Sequence, residues 1–87
     1  MFLANDASMT LNVAESKVAN LVGLLARHRE RKGLSQRQLA ALAGLNPKTI
    51  SLWERGKRSP TLVALLLVSA AMDYDLGQNL KEVLAND

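Results

Sequence analysis

Apolar residues recur along most of this chain at helical spacing, and the polar residues between them mark where each helix starts and stops. Val18, Leu21, Val22 and Leu25 make one stripe, predicting a first helix from an Asn12 cap, with Glu15 three residues on, to Lys32. Gly33 stops that helix and Leu34 packs back across the stop. Ser35 then reads as an N-cap, with Gln38 at the reciprocal capping-box spacing and Leu34 and Leu39 at the staple positions. The second helix has Leu39, Leu42 and Ala43 as its inward stripe and small Ala40 where a neighbour approaches. Gly44 supplies the left-handed turn. Asn46 caps a third helix, Pro47 takes its first position, and Leu45 and Ile50 form a second staple. Ile50 and Trp53 share one face of it. Pro60-Thr61 opens a fourth helix, Thr61 to Met72, with Leu62, Leu65, Leu66 and Met72 facing inward. Asp75, with Gln78, caps a fifth, Leu76 to Ala85.

The pattern is densest from Ser35 to Arg55, where two short helices meet through a turn of three or four residues, the length of a helix-turn-helix. The outer face of the third helix presents Lys48, Ser51, Leu52 and Arg55: donors, positive charge and one leucine. The fourth helix is different. Val63, Leu67, Ala70 and Tyr74 form a second stripe on it, so it is apolar nearly all round. Such a helix is normally buried on both sides. Either the N-terminal segment or another subunit covers it, and another subunit is the favoured cover.

The stretch Leu25 to Leu76 resembles the phage repressor and Cro-type helix-turn-helix family, the xenobiotic-response-element family of bacterial regulators. The resemblance is carried by Arg29, the run Lys32 to Ala40, Ala43-Gly44-Leu45, Thr49-Ile50-Ser51, Glu54, Gly56 to Pro60 and the leucine-rich helix after it. It implies an all-α, compact five-helix lambda-repressor-like domain with the helix-turn-helix at helices 2 and 3. It also implies an ion pair between Arg29 and Glu54, bracing helix 1 against helix 3, and a dimeric assembly. Pro47 and Leu52 stand where many relatives carry an amide, which weighs against amide readout of adenine there.

Charge sharpens this picture. The 87 residues carry a net charge of only +3, but nine basic and two acidic side chains lie between Arg27 and Arg58. Basic charge concentrated around a helix-turn-helix is the footprint of a phosphate-binding surface. Chain length fits one domain, residues 12–87, with the motif at 35–55; residues 1–11 show no period and form a tail or an arm. There is no cysteine, and His28 is the one histidine, so thiolate and zinc sites are excluded and no cofactor is expected. No glycine-rich phosphate loop or cluster of catalytic side chains points to an enzyme. No apolar run is long enough for a membrane, and the start lacks the charge and apolar pattern of a secretory signal; a cytoplasmic location is expected.

These readings assign roles. Base edges fall to Lys48, Ser51, Leu52 and Arg55, with Gln36 added by the resemblance. Phosphates fall to Arg29, Arg37, Pro47, Thr49, Lys57 and Arg58. The dimer or partner surface falls to Val63, Leu67, Tyr74, Leu76, Leu80, Val83 and Leu84, with Met72 beside them. The expected partners are double-stranded DNA with a near-palindromic operator and a second copy of the chain. The leading function is a sequence-specific transcriptional regulator, acting as a repressor. An antitoxin that binds both operator and toxin, and an adaptor that keeps the fold to bind protein, are the competing functions.

Overall fold

The computed structural model describes residues 9–86. Five helices follow in order: α1 (Leu11–Arg31), α2 (Gln36–Ala43), α3 (Pro47–Glu54), α4 (Leu62–Ala71) and α5 (Leu76–Ala85). Residues 1–8, most of the segment read as tail or arm, lie outside the described residues.

Each helix begins on a side chain that accepts a backbone N–H of its first turn, relieving donors that the helix itself leaves open. Ser35 and Gln38 close a full capping box, with Gln38 N–H to Ser35 Oγ at 3.0 Å and Ser35 N–H to Gln38 Oε1 at 2.8 Å. Asn46 Oδ1 accepts from Lys48 N–H at 2.8 Å, Thr61 Oγ1 from Ala64 N–H at 3.1 Å and Asp75 Oδ1 from Gln78 N–H at 2.9 Å. The first helix departs from expectation: Thr10, not Asn12, is its cap, with Val13 N–H on Thr10 Oγ1 at 3.2 Å. A threonine hydroxyl two residues earlier caps the open donors, so the helix starts at Leu11.

Helix ends repeat one device. Gly33, Gly44 and Gly56 each adopt φ 72°, and Asp73 adopts φ 51°. The residue after each returns its N–H to a carbonyl five positions back: Leu34 to Arg29, Leu45 to Ala40, Lys57 to Leu52 and Tyr74 to Ser69. These are Schellman stops, which turn the chain sharply with the last carbonyls satisfied.

The core is aliphatic apart from Trp53, built from Leu21, Val22 and Leu25 of α1, Leu39, Ala40 and Ala43 of α2, Ile50 and Trp53 of α3, Ala64 and Val68 of α4, Met72 and Val83. Three expected positions differ. Leu42 is exposed on α2, whose buried stripe is Leu39, Ala40 and Ala43. Leu62 and Leu66 lie on the exposed face of α4, 66 % and 56 % accessible, while Ala64, Val68 and Ser69 face inward. The reason is that α4 reads LVALLLVSAA, nearly uniform in polarity, so its sequence carries no rotational phase. Small Ala64 and Ser69 seat the helix closely where a leucine would hold it off.

Candidate nucleic-acid interface

The interface is framed by a network around Glu54, the last residue of α3. Its Oε2 accepts from Arg29 Nε at 2.8 Å, and its Oε1 from Arg29 Nη2 at 2.9 Å and Gln36 Nε2 at 2.8 Å. Arg29 Nη1 donates to Leu34 O at 2.7 Å. One carboxylate thus ties α1, the following turn, α2 and α3 together. The hydrogen bonds it donates to Glu54 hold the Arg29 guanidinium above the ordinary arginine pKa, against the opposing effect of burial.

Arg29 is therefore a brace and not a free phosphate contact. It is 8 % exposed, and all three of its nitrogens are engaged. That corrects the phosphate role expected for it, because a guanidinium that donates inward from a buried site has no fork left for DNA. Gln36 is half-buried and its amide nitrogen is committed to Glu54, leaving its carbonyl oxygen and one N–H hydrogen.

The short turn through Gly44 presents α3 on α2. Ile50 and Trp53 anchor its inner face, 1 % and 5 % exposed. Its other face carries Lys48 and Arg55, exposed, and Ser51 and Leu52, half-buried. Arg55 Nε donates to Ser51 Oγ at 3.2 Å, a bond the sequence did not reveal. Beyond the Gly56 stop, Lys57 and Arg58 are exposed on the loop to α4, and Arg37 is exposed on α2. Thr49 is half-buried, and exposed Pro47 has no N–H to offer a phosphate. The fold thus brings Lys48, Ser51, Leu52 and Arg55 onto one helix, flanked by Lys57 and Arg58.

The expected partner surface divides. Val63 and Leu67 are exposed on α4, 68 % and 42 %, beside Leu62 and Leu66. On α5, Leu80 and Leu84 are exposed and line a groove with Met9, Lys17 and Leu21. Val83 is 6 % exposed and belongs to the monomer core, while Tyr74 and Leu76 pack half-buried against that core. Val83 is corrected as a partner contact, since α5 turns it toward α1, whereas Tyr74 and Leu76 keep part of their surface open, with the Tyr74 ring tilted against His28 at a centroid separation of 4.7 Å. His28 is half-buried, its Nε2 3.3 Å from Met72 O.

Lys17 was assigned no role, yet its Nζ donates to Val83 O at 3.1 Å and to Asn86 O, clamping the end of α5. A cation on terminal helix carbonyls is well placed for their partial negative charge. Among the described residues, no helix is long and apolar enough to cross a membrane.

A short helix with donors and positive charge on its outer face, held on a second helix by a glycine turn, defines a helix-turn-helix module shaped for duplex DNA. Residues 25–79 match the family model described as helix-turn-helix, and the chain belongs to that family, in its Cro/C1-type branch. It is 38 % identical over 47 residues to an uncharacterized helix-turn-helix-type transcriptional regulator, y4dJ, of Sinorhizobium fredii. That match covers 54 % of this chain and 61 % of the relative, so the chain aligns with about three-fifths of that protein. Among solved structures it is similar to a point variant of the restriction-modification controller protein C.Esp1396I, with a TM-score of 0.65 and 28 % identity, covering 91 % of this chain and all of the other.

Proposed function

We propose that this protein is a DNA-binding transcriptional regulator that acts as a dimer on a near-palindromic duplex site, and that it represses by occupying that site. The observation that carries this reading is the exposed face of α3, with Lys48, Ser51, Leu52 and Arg55 together, on a family fold whose outer helix suits the major groove. Arg37, Lys57 and Arg58 supply phosphate contacts that set orientation without reading sequence. Glu54 and Arg29 fix α3 in place. The likeness to a transcriptional regulator and to a controller protein supports the regulatory role.

Dimerisation follows from α4. Leu62, Val63, Leu66 and Leu67 leave a contiguous apolar face in water, which one two-fold contact with a second copy would cover. Two recognition helices would then sit about one DNA turn apart, roughly 34 Å. A regulator of this kind works where the DNA is, in the cytoplasm.

Selection of bound duplexes from a random pool at moderate salt tests the reading. Enrichment of an inverted repeat with half-sites about ten base pairs apart is expected. Recovery of duplexes without any enriched sequence would overturn sequence-specific regulation, and no recovery at low salt would overturn DNA binding altogether.

A further inference from the structure

The recognition face contains a side-chain pair whose geometry says more than its composition. Arg55 Nε donates to Ser51 Oγ at 3.2 Å, one helical turn back. The Arg55 backbone is fixed at the same place, with its N–H on Ser51 O at 3.0 Å and Gly56 turning the chain immediately afterwards. A guanidinium offers donors in two flat pairs, either Nε with one terminal nitrogen or the two terminal nitrogens together. Once Nε is engaged, the end-on pair is the one left whole. That pair matches the O6 and N7 acceptors of guanine in the major groove.

We infer that Ser51 is a positioning residue for Arg55: its hydroxyl takes the Nε–H so that the end-on pair of Arg55 reads a guanine in each half-site. The inference rests on the proposed DNA reading and refines it, because Ser51 then acts through Arg55 and not as a reader in its own right. Two consequences follow. The arginine is ordered before DNA arrives, which lowers the cost of fixing a long side chain on binding. It also cannot be exchanged for lysine, which keeps the charge but has neither an Nε–H for Ser51 nor a planar pair for the base. A phosphate oxygen would also suit an end-on arginine, and lysine serves a phosphate well, so the two targets are separable by substitution.

The test uses the full chain and duplexes enriched by the wild-type protein, with each guanine replaced in turn by 7-deazaguanine, which lacks the N7 acceptor. At one guanine per half-site the wild type is expected to lose affinity by about tenfold. Arg55→Ala and Arg55→Lys remove that penalty, Ser51→Ala reduces it to about threefold, and Ser51→Thr restores it. In an Arg55→Ala background, Ser51→Ala changes nothing further, the signature of two residues acting as one. Unchanged melting temperatures are the check that these substitutions leave the fold intact. The inference is overturned if Ser51→Ala keeps the full penalty, or if it weakens Arg55→Ala further. It is also overturned if Arg55→Lys binds with wild-type affinity and base preference, which would make Arg55 a phosphate contact. Failure of the wild type to enrich any sequence would take down the sequence-specific reading itself, and the role of Ser51 with it.

Discussion

Around Glu54 both carboxylate oxygens and all three Arg29 nitrogens are engaged, whereas on α4 and just past it two buried hydroxyls, Ser69 Oγ and Tyr74 Oη, have no hydrogen-bond partner. The first region spans α1, α2 and α3 and exposes mostly charge and amides. The second exposes four large apolar side chains in a row on α4. The difference teaches where precision is needed. A recognition helix must be held to a fraction of an ångström, and a bidentate arginine–carboxylate pair does that by direction as much as by energy. A surface proposed to meet a second copy needs area and shape, and leucine supplies both.

The sharpest way to break the comparison is Glu54→Ala. It leaves the buried Arg29 guanidinium with only the Leu34 carbonyl and the exposed Glu30 carboxylate, 3.8 Å from its Nη2, and a loss of about 3 kcal/mol is expected in denaturant unfolding. Replacing Arg29 and Glu54 together with Met and Leu should cost far less, because no charge is then stranded. If the single and double variants are equally damaged, the pair is not what organises this half.

Next is Leu66→Glu on the open face of α4. Self-association, followed by sedimentation, should weaken by the roughly 1.5–3 kcal/mol that a buried leucine contributes, at least tenfold in dissociation constant. Unfolding of the monomer should move by less than about 0.5 kcal/mol, since the residue is already in water. Unchanged association would assign the dimer contact elsewhere.

Tyr74→Phe is a smaller and opposite effect. Removing a buried hydroxyl without a partner should stabilise by about 1 kcal/mol at neutral pH. Desolvation by burial raises the Tyr74 pKa, with Glu82 adding to the shift. A raised pKa means that its contribution is complete below the unfolded tyrosine value of about 10 and is lost as pH climbs through the higher folded value. The phenylalanine variant should therefore lose less stability on the alkaline side, as read in melting temperatures from neutral to alkaline pH. Last is Lys17→Ala, which releases the carbonyls at the end of α5 and should cost about 0.5–1 kcal/mol, with the amides of α5 exchanging faster.

The same contrast explains what the sequence alone disclosed. Helices α2, α3 and α5 were legible because caps are local: Ser35, Asn46 and Asp75 announce starts in the residues themselves, Pro60-Thr61 marks the opening of α4, and Gly33, Gly44 and Gly56 announce stops, while α1 starts on Thr10, two residues before the Asn12 expected to cap it. The helix-turn-helix and its charged outer face were legible for the same reason. The orientation of α4 was not, since a helix apolar on all sides points nowhere until its neighbours are placed. Val83 and Leu84 are adjacent leucine-like positions on α5, and only the packing against α1 decides which one enters the core. The clamp from Lys17 to Val83 O spans 66 positions, a separation that no local pattern encodes. Arg29 donates to the Leu34 carbonyl and shares the Glu54 carboxylate with the Gln36 amide, a convergence that likewise appears only in three dimensions.

The repeated helix stops have a kinetic meaning. Each corner of the fold is closed by hydrogen bonds that span three to five residues, so the corners form without waiting for distant parts of the chain to meet. Helical domains rich in such short-range closure fold on the order of microseconds to milliseconds. Reclosing then outruns cleavage by a protease, and degradation samples the equilibrium population of opened chains instead of the rate of opening. Covering the α4 leucines, as the proposed dimer would, deepens that equilibrium, so the lifetime of the protein would then rise with its own concentration.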